Sequence, residues 1–125
     1  MLTIYHNPRC SKSRETLGIL TKQCQLTDQL FNIIEYLKTP LGESGIKGLL
    51  HQLNCQPIEM MRVKEPEFYQ QNLTGTSDDK LIDAMIHTPK LIERPIVTDG
   101  NKAIICRPPE KILTFFSTTD KLSRL

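Results

Sequence analysis

The first third of the chain alternates between extended and helical patterns of apolar positions. Residues Leu2 to Tyr5 alternate apolar and polar side chains, which predicts a short strand that ends at Asn7-Pro8. From Cys10 the pattern has a helical period, with one stripe formed by Ser13, Leu17, Leu20 and Cys24. Residues Phe31 to Tyr36 predict a second strand. A helix of this length between two strands is typical of a parallel crossover.

The middle third of the chain is predicted to be helical. One helix face is formed by Ile46, Leu49, Leu50 and Leu53. Two short helices are expected at Pro57 to Arg62 and at Glu67 to Gln71, separated by Pro66. Thr76 to Asp79 match a capping box, which predicts the start of a further helix. Together these helices form a predicted all-helical insert over about residues 43–90.

The last third returns to strands. Ile96 to Thr98 and Ala103 to Ile105 flank an Asp-Gly turn, which predicts a hairpin. Pro108-Pro109 would open a final helix with Ile112, Leu113 and Phe116 on one face, and Ser117 to Leu125 are expected to fray. The order βαβ, helical insert, ββα predicts an α/β chain of thioredoxin-like fold. It would be a single domain, residues 1–125, with a four-stranded mixed sheet flanked by helices.

The composition of the chain argues against two classes of binding partner, nucleic acids and membranes. The 125 residues, 38% hydrophobic and 24% charged, fit one globular domain. A net charge of +2 gives no bulk attraction for nucleic acid. No apolar run approaches a membrane span, and the first residues lack the pattern of a signal peptide. We therefore expect a cytoplasmic protein with neither a nucleic-acid nor a membrane partner.

Four cysteines lie at positions 10, 24, 55 and 106, and none forms a Cys-x-x-Cys pair. This spacing favours free thiols in a reducing compartment over a disulfide scaffold or a metal site. Cys10 is the candidate nucleophile, because the unpaired N–H groups at the start of a helix favour a thiolate. Basic or ionisable neighbours add to that preference, namely His6, Arg9, Lys12 and Arg14. Burial as a small hydrophobic residue is the alternative, expected instead for Cys24 and Cys55.

Position 13 is a serine, so a local disulfide with Cys10 cannot form and an external thiol should resolve any Cys10 intermediate. The Ser13 hydroxyl could donate a hydrogen bond to the Cys10 sulfur or help to start the helix. A phosphatase-like loop would need an arginine after five intervening residues, where this chain has Thr16, and Arg14 comes too early. That alternative is unfavourable.

Three arginines are candidates for binding an anion, because planar guanidinium groups suit tetrahedral oxyanions. Arg94 and Arg107 each flank a predicted strand and precede a proline, and Arg62 ends a short apolar segment. A solvated surface charge is the alternative for each of them. If Arg107 faces an anion, Cys106 is expected to face away, because side chains alternate along a strand.

These residues resemble the arsenate reductases that depend on glutathione and glutaredoxin, the ArsC family. The segment His6 to Arg14 looks like the signature of that family, and Arg94 to Val97 and Cys106 to Pro108 are similar to its two later motifs. Met61-Arg62 with Glu65 to Leu73 resembles a further arginine-bearing block. The matches follow in order over roughly residues 3 to 116.

The resemblance implies a thioredoxin-like fold with a helical insert and a reaction in which the Cys10 thiolate attacks arsenate. Glutathione, as co-substrate, would reduce As(V) to As(III) and remain on Cys10 as a mixed disulfide, which glutaredoxin would remove. No bound cofactor is implied. The implied oxyanion-binding residues are Arg62, Arg94 and Arg107. The implied supporting residues are His6, Ser13, Arg14 and Pro95, with the Arg94-Pro95 bond cis.

Two other functions fit the same pattern. One is a redox regulator of the Spx type that binds RNA polymerase, although such regulators commonly carry Cys-x-x-Cys and this chain has Ser13. The other is a monothiol, glutathione-linked oxidoreductase that acts on a different substrate.

Overall fold

Four strands form one mixed sheet in the computed structural model, which describes residues 1–116. The strands are β1 (Leu2–His6), β2 (Phe31–Glu35), β3 (Ile96–Thr98) and β4 (Ala103–Ile105). Their order in the sheet is β2-β1-β3-β4, with β1 parallel to β2 and antiparallel to β3, and β3 antiparallel to β4. The predicted four-stranded mixed sheet is confirmed. The expected fraying of Ser117 to Leu125 lies outside the described residues.

Four α-helices flank the sheet. The crossover from β1 to β2 is α1 (Ser11–Leu26), and α2 (Glu43–Leu53), α3 (Pro66–Gln70) and α4 (Asp78–His87) lie between β2 and β3. Short 3-10 helices cover Pro57–Met60, Pro89–Leu91 and Pro109–Phe116. Among residues 1–116, no helix is long and apolar enough to cross a membrane.

The alternation of side chains along the strands separates two apolar clusters, one on each face of the sheet. Ile4 lies opposite Val97, and both pack with α1 and the last 3-10 helix. Tyr5 lies opposite Ile96, and both pack with the helical insert. The buried residues that the insert contributes include Ile46, Leu49, Met60, Leu81, Met85 and Leu91. Each face of the sheet is therefore covered by its own helical layer.

Proline positions correct two predicted helices. Pro66 was expected to separate two helices, but it occupies the first turn of α3, where its missing N–H group is not needed. The helix expected at Pro57 to Arg62 ends at Met60. Beyond it, Met61 pairs with Ile92 as an isolated β-bridge, and Arg62 N donates to Leu91 O at 2.7 Å. Arg62 is thus held by extended backbone and not by a helix.

Helix boundaries and faces differ from the prediction in three further places. Ser77, not Thr76, caps α4, and its hydroxyl accepts a hydrogen bond from Lys80 N. The last helix is of the 3-10 type, whose tighter period exposes Leu113 and leaves Ile112 as the buried residue of the predicted face. In α1, Thr16 is fully buried while Leu17 is only partly buried. Thr16 can be buried because its hydroxyl donates to the carbonyl of the preceding turn.

Candidate active site

Cys10 lies at the end of the loop that connects β1 to α1, and this loop is closed by backbone hydrogen bonds. Cys10 N donates to Asn7 O at 3.0 Å, and the Asn7 side-chain oxygen accepts from Arg9 N at 3.0 Å. Such an Asx turn is a common use of asparagine before a proline. Cys10 itself is the N-cap of α1, with its side chain partly exposed. The thiol therefore stands over the free N–H groups of the first helical turn.

The pKa of the Cys10 thiol is lowered by its surroundings. Burial by itself would raise the pKa, but the N–H groups of Ser13 and Lys12 and the side chain of Arg94 favour the thiolate and outweigh it, and the charge of Arg94 adds to them. These are the groups that stabilise a thiolate at a helix start. The sequence-based expectation about Cys10 thus has a specific physical cause: two backbone donors and one guanidinium.

The Ser13 side chain is engaged elsewhere. Ser13 Oγ lies 2.7 Å from His6 Nδ1 and accepts a hydrogen bond from Asn7 N at 3.0 Å. Burial lowers the pKa of His6, Glu35 opposes this and Arg14 adds to it, so the neutral imidazole is favoured. A neutral Nδ1 can accept the Ser13 proton. Ser13 therefore lowers the pKa of Cys10 through its backbone N–H, while its hydroxyl connects the loop to β1.

Arg94 and Arg107 lie together at one edge of the sheet. The Arg94-Pro95 bond is cis, as the resemblance implies. The Arg107-Pro108 bond is cis as well, although no such expectation followed from the residues. Arg107 Nη1 donates to Arg94 O at 3.3 Å, and Arg94 Nη1 donates to Lys90 O at 3.3 Å. Arg94 is thus the arginine that acts on the thiol, and Arg107 contacts the backbone of Arg94.

Arg62 joins this group across a cavity. A cavity of about 270 Å³ is lined by Arg62, Arg107 and Glu93, among others. Arg62 Nε donates to Glu65 at 3.0 Å, and Arg62 Nη1 lies 3.5 Å from Glu93. Burial would raise the pKa of Glu65, but Arg62 and Lys90 lower it, so this carboxylate is ionised. Arg62 is therefore shared between two carboxylates.

Arg14 and Arg9 have other positions. Arg14 Nη1 donates to Pro8 O at 2.9 Å and so braces the loop from the helix. Arg9 is exposed to solvent. The structure thus brings Cys10, Arg94, Arg107 and Arg62 towards one side, and it places His6, Ser13 and Arg14 beneath or beside the loop as supports.

Sequence reasoning missed Tyr36, which was assigned only to the second strand. Tyr36 comes directly after β2 and is 1% exposed. Arg94, Cys10 and Arg62 all influence the pKa of its phenol, so its hydroxyl lies within this group. The signal was in the topology: the ends of parallel strands meet at one edge, and His6 is paired with Glu35. The residues that follow them, Asn7 and Tyr36, are therefore neighbours.

The other three cysteines have raised pKa values. Burial raises the pKa of Cys24, burial and Glu59 raise that of Cys55, and burial raises that of Cys106 to about 12. Cys106 is completely buried in the cluster on the α1 face, whereas Arg107 lines the cavity beside the insert. The prediction that these two neighbours face apart is confirmed, although Cys106 lies just beyond β4.

Comparison with known proteins decides the family. The model of the ArsC family matches residues 5–115. The chain belongs to the ArsC family. Among relatives in this family, an arsenate reductase of Haemophilus influenzae is 40% identical over 114 residues, covering 88% of this chain and 94% of the relative. The protein YfgD of Escherichia coli, described as uncharacterized, is 44% identical over 113 residues, covering 88% and 92%.

A solved ArsC-family structure agrees with this fold. The arsenate reductase from Vibrio cholerae is 44% identical and superposes with a TM-score of 0.83, covering 90% of this chain and 95% of that one. The thioredoxin-like fold with a helical insert is therefore shown by the architecture and by this likeness.

Proposed function

We propose that this protein is a cytoplasmic arsenate reductase that takes its electrons from glutathione and is regenerated by glutaredoxin. The observation that carries the proposal is the Cys10 thiol, whose pKa is lowered by two backbone N–H groups and by Arg94. A thiolate that faces guanidinium groups can attack an anion that would otherwise repel it. Relatives that carry the name arsenate reductase support arsenate as that anion.

The first half of the reaction forms an adduct. The Cys10 thiolate attacks arsenic, an S–As bond forms, and one arsenate oxygen leaves as water after protonation. Arg94 would hold the remaining oxygens beside the sulfur, and this role is supported by Arg107, which donates to the Arg94 carbonyl. Planar guanidinium forks match the paired oxygens of a tetrahedral oxyanion, which Arg62 would share from across the cavity.

The second half of the reaction consumes glutathione. The glutathione thiolate attacks the Cys10 sulfur, the S–As bond breaks, and its electron pair stays on arsenic, which becomes As(III). The two thiols supply the two electrons and end as a mixed disulfide on Cys10. A glutaredoxin thiolate then removes the glutathione and restores the Cys10 thiolate. An external thiol is required because Ser13 occupies the position of a local resolving cysteine.

A coupled assay tests the proposal. NADPH oxidation is followed with arsenate, glutathione, glutathione reductase and glutaredoxin, and each component is omitted in turn. We expect the rate to require all of them and to vanish in Cys10→Ser. Cys55→Ser is the matched control, because Cys55 lies far along the chain with a raised pKa and should keep the rate. Turnover that depends on Cys10 but not on arsenate would instead support a monothiol oxidoreductase for another substrate.

A further inference from the structure

Tyr36 holds a buried hydroxyl that the proposed reaction does not use. The ring packs in the apolar cluster of the insert, next to the backbone that carries Arg62 and Arg94. Tyr36 follows the end of β2, and Arg94 precedes β3, which runs antiparallel to β1, so both residues lie at the end of the sheet where Cys10 follows β1. Arg94, Cys10 and Arg62 also influence the pKa of the Tyr36 phenol. A phenylalanine would fill the apolar part of this site equally well, so the oxygen needs its own explanation.

Two buried polar atoms at this place lack partners. Within residues 1–116, neither Tyr36 Oη nor Arg94 Nε makes a hydrogen bond. A buried polar atom without a partner costs about 1–3 kcal/mol, so each is unusual by itself. The two groups are close enough for Arg94 to lower the pKa of the phenol by charge and by hydrogen bonding, but the bond is not completed in this arrangement.

The geometry points to Tyr36 as a positioning residue for Arg94. Its hydroxyl accepts a hydrogen bond from Arg94 Nε–H when the guanidinium turns its terminal nitrogens to the Cys10 sulfur and to a bound oxyanion. This rotation would give both buried atoms, Tyr36 Oη and Arg94 Nε, a hydrogen-bond partner. The hydroxyl is too deeply buried to meet the oxyanion itself, because its exposed area is essentially zero. The oxyanion part of this inference rests on the proposed function, whereas the effect on the thiol does not.

The phenol is suited to this role because it stays neutral. Burial raises the pKa of Tyr36 to about 12, and the nearby arginines only partly offset it. A neutral hydroxyl oxygen can accept from Nε–H without neutralising the guanidinium. Arg94 therefore keeps its full charge for the thiolate and the anion, in contrast to Arg62, which is paired with two carboxylates.

The test is a double-mutant cycle on Tyr36 and Arg94. Tyr36→Phe, Arg94→Ala and the double variant are compared for the pKa of Cys10, read from the iodoacetamide rate against pH. Protection of Cys10 by arsenate, at increasing concentration, is measured in parallel. Tyr5→Phe is the matched control, because Tyr5 lies on the same sheet face and is partly buried but is not part of the site. Thermal unfolding is recorded for every variant.

We expect Tyr36→Phe to raise the thiol pKa and to raise the arsenate concentration for half-protection about tenfold, as for one hydrogen bond to a charged group. It should do neither once Arg94 is alanine. Thermal unfolding checks only that each variant is folded at the assay temperature, because losing the bond also leaves Arg94 Nε unpaired. A wild-type thiol pKa and wild-type arsenate protection in Tyr36→Phe, or an equal effect of Tyr36→Phe in the Arg94→Ala background, would overturn the inference.

The proposed function and the role of Tyr36 can be refuted independently of each other. A wild-type protein that reduces no arsenate, but in which the effect of Tyr36 on the thiol pKa disappears with Arg94, would keep Tyr36 as a positioning residue and remove arsenate as the substrate. Normal arsenate turnover with no coupling between the two residues would do the opposite.

Discussion

Ser13 Oγ lies 2.7 Å from His6 Nδ1, and this contact joins the first turn of α1 to the last residue of β1. The same oxygen accepts a hydrogen bond from Asn7 N, so one hydroxyl serves two groups of the loop. All three residues are buried. The loop that presents Cys10 is therefore fixed by the Ser13 side chain, while the pKa of the thiol is lowered by backbone N–H groups and by Arg94.

Removing the Ser13 hydroxyl should lower the free energy of unfolding but change the pKa of Cys10 little. Ser13→Ala leaves Asn7 N and His6 Nδ1 buried without partners, each worth about 1–3 kcal/mol. We expect the free energy of unfolding, measured in urea, to fall by that order. The thiol pKa should change less than in Arg94→Ala, because the Ser13 N–H remains. Ser11→Ala, at an exposed position in the same turn, is the control. A larger pKa shift in Ser13→Ala than in Arg94→Ala would contradict this assignment.

The lowered pKa of Cys10 predicts a shifted alkylation profile. The thiolate is the reactive form, so the rate rises with pH through the thiol pKa and then levels off. We expect the half-point below that of an ordinary cysteine, roughly 8.5. Arg94→Ala should move it upward. Cys24 and Cys106 are buried with raised pKa values and should react far more slowly. Mass spectrometry after brief labelling locates the modified residue, and first labelling at Cys24 or Cys106 would refute the prediction.

Arg94 and Arg107 should both be needed for efficient use of arsenate. Arg94→Ala removes a charged hydrogen bond beside the sulfur, and Arg107→Ala removes the guanidinium that contacts the backbone of Arg94. Such bonds are worth about 1.5–3 kcal/mol, which is about a tenfold to hundredfold loss in kcat/KM. Lysine should rescue poorly, because a point charge cannot reproduce a fork.

Arg14→Ala is the matched comparison for these variants. Its guanidinium donates to Pro8 O on the exposed side of the loop, so a smaller loss is expected. Unfolding curves should stay close to wild type for Arg94→Ala and Arg107→Ala. An unchanged arsenate dependence in both of these variants would remove them from the site.

Patterns among neighbouring residues were enough to predict most of the fold and part of the candidate site. The alternation at Leu2 to Tyr5 and the Asp-Gly turn are decided by neighbours in sequence, and both predictions agree with the structure. Cys10 was recognisable because a strand gives way to a helix there. The role of Pro66 was predicted wrongly. It starts α3 where a break between helices was expected, because proline fits the first turn of a helix as readily as it ends a helix.

The remaining features depend on contacts between distant segments. Glu93 pairs with Arg62 only because the bridge between Met61 and Ile92 brings the two segments side by side. Tyr36 reaches Arg94 only once β2 has paired with β1. The direction of the Ser13 hydroxyl follows from the buried position of His6. No periodicity along the chain encodes these relationships, whereas strand pairing and burial do.

The catalytic cycle should end with an external thiol and not with Cys106. Cys106 cannot replace glutathione, because it is fully buried on the α1 face of the sheet, away from the cavity that Arg107 lines. Its pKa of about 12 also keeps it protonated. Cys106→Ser should therefore keep most of the activity, at some cost in stability from burying a hydroxyl, and Cys106→Ala separates the two effects. Omitting glutathione should abolish turnover, and mass spectrometry of the oxidised protein should find one glutathione on Cys10. A Cys10–Cys106 disulfide would instead require Cys106 to leave its buried site, and would overturn both the geometry and the single-thiol mechanism.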